Sequence, residues 1–263
     1  MPAETSTTAV ADEVLVRHES RTAVITINRP HAKNAVTRAV AEGIAAALDE
    51  LDRRDDLSVG VLTGAGGSFC AGMDLKGFLR GERPTIEGRG FAGLTEAPPK
   101  KPLIAAVEGY ALAGGCEIVL ACDLVVAGRT AKFGIPEVKR GLVATGGGLL
   151  RLPHRVPEQI AMELALTGDM ITAARAYEVG LVNRLTDEGG ALAEALALAG
   201  RIAANGPLAV LASKQVIKEH GQWPETERFA RQRRITEPVF ASADAQEGAR
   251  AFAEKRLPNW QGR

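Results

Sequence analysis

The stretch Gly109–Asp123, reading Gly-Tyr-Ala-Leu-Ala-Gly-Gly-Cys-Glu-Ile-Val-Leu-Ala-Cys-Asp, most constrains what this chain can build. It follows the apolar run Pro102–Val107, which has the length and content of a buried strand. The chain then turns through glycines into an apolar helical segment, with Gly114 and Gly115 in its first turn. A helix start presents backbone N–H groups without intrahelical partners and the positive end of the helix dipole. Glycine lets a ligand approach that backbone closely. Such a place suits a carbonyl oxygen that gains negative charge during a reaction. One turn further on, Glu117 is an ionisable group in apolar surroundings. Taken alone, this stretch fits a structural carboxylate that meets a cap or a salt-bridge partner better than a catalytic one.

The flanking chain alternates strands and helices. Val14–Val16 and Ala23–Ile27 read as strands joined by a hairpin turn at Glu19–Arg21. Thr37 is a helix cap, and Val40, Ile44, Leu48 and Leu51 recur at helical spacing behind it. Val59–Thr63 is the next strand. The order strand, strand, helix, strand indicates stacked ββα units in an α/β fold. Leu124–Ala127 and Leu181–Asn183 read as further strands. Helices are expected from Pro157 to Leu166 and from the cap Thr172 to Gly180. Residues 77–100 lack clean periodicity and read as loops and short helices that line or cover a site.

The loop Gly64–Lys76 is rich in glycine. It lacks the ending of a phosphate-binding loop and does not fit the dinucleotide fingerprint in register. Its other use is an exposed backbone N–H near Met73. From Gly190 onward the chain reads as helical, with Leu192, Leu196, Ala199 and Ile202 on one face, and Asn205-Gly206-Pro207 breaks it. The reading divides the chain into a disordered leader (1–12), an α/β core (13–205) and a helical region (206–263) that packs on the core or on a neighbouring subunit. Arg228, Arg231, Arg233 and Arg234 form a solvated or intersubunit basic face.

Lys plus Arg and Asp plus Glu are both 32, so the net charge is zero. That balance argues against nucleic acid as a partner and leaves self-association unopposed. Three cysteines, Cys70, Cys116 and Cys122, form no disulfide framework and fit a reducing, cytoplasmic compartment. No apolar run approaches a membrane span. His18, His31, His154 and His220 are scattered without ligand spacing, so no metal site is expected.

Three segments together resemble the crotonase family of enoyl-CoA hydratases and isomerases. They are Ser68–Leu75, Gly109–Asp123, and Phe133-Gly134-Ile135-Pro136-Glu137 with the glycines that follow. Asn28-Arg29-Pro30 through Asn34-Ala35, and the ending Ala251–Arg256, match as well. The resemblance implies a spiral of ββα units with a C-terminal helical region that forms trimers, often paired as hexamers. It implies an acyl-CoA substrate, with coenzyme A as part of that substrate and no separate cofactor. The thioester carbonyl would accept from the backbone N–H groups of Met73 and Gly114. Glu117 would activate water and Glu137 would protonate Cα.

The same resemblance places Ala71, Gly72, Asp74 and Leu75 along the coenzyme A path with Met73, Phe252 on adenine, and Lys255 on a phosphate. Ala144-Thr145-Gly146-Gly147-Gly148 departs from the usual Pro-Gly-Ala-Gly-Gly. The N–H near Thr145 can still position water, in a more crowded spot. Enoyl-CoA hydration is therefore the leading expectation. The alternatives are an isomerase or specialised dehydratase of the same family, and a non-catalytic acyl-CoA binder. A nicotinamide-dependent dehydrogenase would rest on glycine loops without their fingerprint.

Overall fold

A computed structural model of the chain describes residues 12–263. Apart from Asp12, the expected leader lies outside the described residues. Strand β1 (Val14–Glu19) turns at Ser20, where φ is +53°, and returns antiparallel as β2 (Thr22–Ile27). Helix α1 (Arg38–Arg53) starts where the Thr37 hydroxyl accepts from the Val40 amide, and β3 (Val59–Gly64) follows. After β3 come the short helix α2 (Leu75–Leu79) and the small hairpin β4 (Thr85–Ile86) and β5 (Gly90–Phe91).

The central stretch supplies β6 (Leu103–Val107), β7 (Tyr110–Leu112), α3 (Gly114–Ala121) and β8 (Leu124–Gly128). Then come β9 (Lys132–Gly134), α4 (Gly148–Arg151), α5 (Glu158–Thr167), β10 (Ile171–Thr172), α6 (Ala173–Glu178) and β11 (Arg184–Thr186). The chain ends in α7 (Ala191–Ala203), α8 (Pro207–Glu219), α9 (Arg228–Phe240) and α10 (Ala243–Ala253).

Six strands form the main sheet in the order β1-β2-β3-β6-β8-β11, parallel except at the β1–β2 edge. Its central strands are almost wholly apolar because both faces are covered, and the buried Thr63 hydroxyl donates to the Ala106 carbonyl. On one face Val59, Val61, Ile104, Ala106 and Val126 pack against Ala191, Ala195 and Ala199 of α7. The other face carries Ile25, Leu62, Leu103, Ala105 and Val107 into the larger core, with α1 and α3 above them. A second sheet, β10-β9-β7, stands beside the first. This is the expected α/β architecture.

Two expectations shift in detail. The seam of α7 is centred on its alanines, with Leu192, Leu196 and Ile202 only partly buried, since small side chains let the helix sit close to the sheet. The strand expected at Leu181–Asn183 begins instead at Arg184. The amides of Leu181 and Val182 both return to the Ala176 carbonyl and close the end of α6.

The motif around Arg29 and Asn34 holds the glycine-rich loop in place. Asn34 is fully buried, and its side-chain amide donates to the carbonyls of Ala65 (2.8 Å) and Ser68 (2.6 Å). Arg29 donates to the Ala35 carbonyl at 2.6 Å and pairs with Asp74 at 3.1 Å. A buried Asn with its hydrogen bonds made fixes a loop at little cost.

The C-terminal helices are pinned at three points. Lys214 Nζ donates to the carbonyls of Pro99 (2.8 Å) and Lys101 (2.9 Å) and pairs with Asp123 at 2.6 Å. Trp260 donates to the Ala204 carbonyl, and Asp244 accepts the amides of Gln261 and Gly262. Beyond these ties the region leaves Phe229, Phe240, Phe252 and Leu257 exposed. Among the described residues no single helix is long and apolar enough to cross a membrane.

Candidate active site

A cleft of about 630 Å³ opens where the Met73 loop, the start of α3, the Pro136–Arg140 turn and the Thr145–Gly146 loop converge. Its lining includes Ala71, Met73, Leu75, Gly114, Glu117, Glu137 and Thr145. Phe78, Phe91, Leu142 and Val143 add apolar wall, while Arg83, Glu96 and Arg140 bring charge to it.

Two amides face this cleft without protein acceptors among the described residues. Met73 forms a parallel bridge with Val36, but the bonds of that bridge use the Gly72 carbonyl and the Asp74 amide. The Met73 N–H is left over. Gly114 is the first residue of α3, and its N–H precedes the intrahelical ladder. The two segments are locked together: the Cys70 carbonyl accepts the Leu112 amide at 3.0 Å. A Cβ on Gly115 would run into that carbonyl. A Cβ on Gly114 would meet the Phe91 ring at 2.5 Å. Ala113, which turns the chain into α3, holds φ at +52° and ψ at −127°, an uncommon conformation for a residue with a side chain. Its own amide is held by the Gly134 carbonyl at 2.9 Å.

The two glutamates occupy unlike surroundings. Glu117 is 4% exposed, and its Oε1 accepts the Gly148 amide at 2.9 Å. Burial raises its pKa, while the amides of Gly148 and Gly146 and the charge of Arg151 pull it back down. A Cβ on Gly146 would come within 2.6 Å of Oε2, so the glycines make room for this carboxylate. Glu137 sits on a turn at the cleft wall, with a buried Oε2 that has no hydrogen-bond partner. Burial first, and the neighbouring charge of Glu117 as well, push its pKa up to about 7. One carboxyl group is thus held by donors that favour its anion, and the other is poised to carry a proton at neutral pH.

Other expected residues lie elsewhere. Asp74 does not line the cleft: it caps α2 through the amides of Lys76 (3.0 Å) and Gly77 (3.2 Å) and pairs with Arg29. Gly72 is buried at φ +100°, where a Cβ would press on Ala113, and it too is absent from the lining. Phe252, 87% exposed, and Lys255 lie on the C-terminal helical region away from this cleft. Sequence reasoning missed the Gly146 and Gly148 amides as partners of Glu117. It also missed Phe91, Arg140 and Arg151. The run of three glycines was the available signal for the amides; nothing in the sequence marked Phe91.

The profile of the family described as enoyl-CoA hydratase/isomerase matches residues 17–263. Enoyl-CoA hydratase EchA19 of Mycobacterium tuberculosis is 45% identical over 262 residues, covering 95% of this chain and 97% of that protein. Mevalonyl-coenzyme A hydratase SIDH of Beauveria bassiana is 39% identical, covering 96% of this chain and 95% of that protein. A crystal structure of an enoyl-CoA hydratase from Mycobacterium tuberculosis superposes with a TM-score of 0.95 at 63% identity, over 96% of this chain and 100% of that one. The chain belongs to the enoyl-CoA hydratase/isomerase family.

Proposed function

We propose that the protein is an enoyl-CoA hydratase that adds water across the 2,3 double bond of a 2-enoyl-CoA thioester. The observation that carries this reading is the pair of carboxyl groups, Glu117 and Glu137, facing one cleft, the first held by the Gly148 amide and the second with a buried Oε2 that has no hydrogen-bond partner. The thioester carbonyl accepts from the Met73 and Gly114 amides. Glu117 removes a proton from water as the water oxygen bonds to Cβ. The π electrons move to the thioester oxygen, and the two amides stabilise the resulting enolate. Re-formation of the carbonyl draws a proton from Glu137 to Cα. One such amide contributes about 3–4 kcal/mol of barrier lowering. Thr145 borders the water position, and Ala71 and Leu75 border the coenzyme A path.

The exposed Phe229, Phe240, Phe252 and Leu257 support assembly through the C-terminal region, as a trimer or a hexamer of two trimers. In that assembly Phe252 and Lys255 would reach the adenine and phosphate of coenzyme A held by a neighbouring subunit. Three free, buried cysteines support a cytoplasmic location.

The test is the loss of conjugated-thioester absorbance with crotonyl-CoA and longer 2-enoyl-CoAs. Turnover by the wild type, with kcat lowered at least roughly a hundredfold in both Glu117→Gln and Glu137→Gln, supports the reading. Tight binding of these thioesters without turnover sinks it in favour of a non-catalytic binder.

A further inference from the structure

We propose that Arg151 is a positioning residue for Glu117, a fixed positive charge set against the Gly146–Gly148 loop that holds this carboxylate. This deepens the hydratase reading and rests on it for the role of Glu117 as base. Arg151 lies on α4, directly after the glycines whose amides hold Glu117. Its Nη2 donates to the Thr95 carbonyl, next to Glu96 and near Phe91 on the cleft wall. A Cβ on Gly147 would collide with Nη1, so the guanidinium sits against the loop. One side chain thus spans the glycine loop and the opposite segment of the cleft.

The electrostatics point the same way. Arg151 is half-buried, and among the described residues no carboxylate lies within salt-bridge distance of it. Burial, and then the nearby charge of Arg155, lower its pKa, and Glu117 opposes them. Arginine nevertheless stays protonated in proteins. A guanidinium in this position without an ion-pair partner is costly unless its charge acts on something. Glu117 is what it acts on. Of the groups around Glu117, Glu137 across the cleft has its pKa pushed up to about 7 and carries a proton, and Arg140 acts on Glu137. The Cys116 thiol beside it is buried and raised to about 12, so it stays neutral. The ionisable residue of β7, Tyr110, is exposed beneath Lys33. Arg151 is the cation that the α4 side brings to the base.

A brace without an electrostatic role would lower activity but leave the titration of Glu117 in place. The deciding experiment is carbon-13 carboxyl NMR on glutamate-labelled protein, the Glu117 signal being assigned by its loss in Glu117→Gln. In Arg151→Met the proton affinity of Glu117 rises about threefold or more, while Arg151→Lys leaves it near the wild-type value. The acid limb of kcat/KM moves in parallel, with KM nearly unchanged. Arg151→Gln serves the same comparison should the Met variant not fold. An unmoved Glu117 titration in the charge-removing variant overturns the proposal, whatever happens to the rate. A wild type that titrates as described but hydrates no enoyl-CoA sinks the hydratase reading and leaves the effect of Arg151 on Glu117 standing.

Discussion

The Gly148 amide donates to Oε1 of Glu117 across 2.9 Å, which ties the carboxylate on α3 to the glycine loop before α4. The site depends on the missing side chains of that loop as much as on the carboxylate. Gly146→Ala places a methyl group 2.6 Å from Oε2 and forces the carboxylate or the loop to move. We expect kcat to fall roughly a hundredfold with a folded protein, since a displacement of about 1 Å at a reacting group has that scale. Steady-state kinetics beside circular dichroism check it.

Gly115→Ala tests the junction between the two amide-bearing segments. In an ordinary exposed helix this change adds about 1 kcal/mol of stability. Here the new methyl group meets the Cys70 carbonyl, a backbone atom with no freedom to swing away. We expect destabilisation of about 2 kcal/mol or more, read as a lowered urea midpoint with an unchanged m-value.

Glu137 makes stability depend on pH in a defined direction. Its pKa rises from 4.5 in the unfolded chain to about 7 in the fold. Between those values the folded state binds more protons, so stability falls as pH rises through the window and the deficit is complete above about 7. Glu137→Gln removes the effect. The variant is expected to gain on the order of 1–2 kcal/mol at pH 8, after discounting for solvent screening, and nothing below about pH 4.5. Thermal melts across that range give the comparison, and an equal gain at both ends rules the mechanism out.

Asp74→Ala separates a structural carboxylate from a binding one. It removes the cap of α2 and the partner of Arg29. We expect a loss of about 1–2 kcal/mol in unfolding free energy. The KM for acyl-CoA should change less than about threefold in assays run well below the melting temperature.

Much of this was legible from spacing. The apolar run at Leu103–Val107, the glycines at Gly114 and Gly115, and Glu117 one turn later define a strand, a tight turn and a helix start, and all three are local properties. The cap at Thr37 and the end of α6 at Gly180 were legible for the same reason. What escaped depends on contacts distant in sequence. The family resemblance puts Asp74 on the coenzyme A path, but in the fold Arg29 and the α2 amides hold it. Phe91 sits in a stretch without periodicity, and only the fold brings its ring onto Gly114. The expected face of α7 does pack on the sheet, with Ala199 fully buried and Leu192, Leu196 and Ile202 at its flanks; hydrophobic spacing passes over Ala191 and Ala195, whose small side chains let the helix sit close. Phe252, on α10, and Lys255, just past it, lie outside the lining of the cleft, a separation that no local spacing of these residues signals.

The unlike settings of Glu117 and Glu137 have a consequence for the reaction cycle. In the proposed hydration the pair begins with its proton on Glu137 and ends with a proton on Glu117. The total held by the pair is the same, but the free enzyme that releases product is a proton isomer of the one that bound substrate. Running backwards, the reaction must start from that second isomer. Each turnover therefore contains a hidden resetting step, in which solvent at the cleft mouth ferries one proton between two carboxyl groups. Such an enzyme is in effect two catalysts in exchange, one competent for each direction, and buffer concentration becomes a rate variable once chemistry outpaces that exchange.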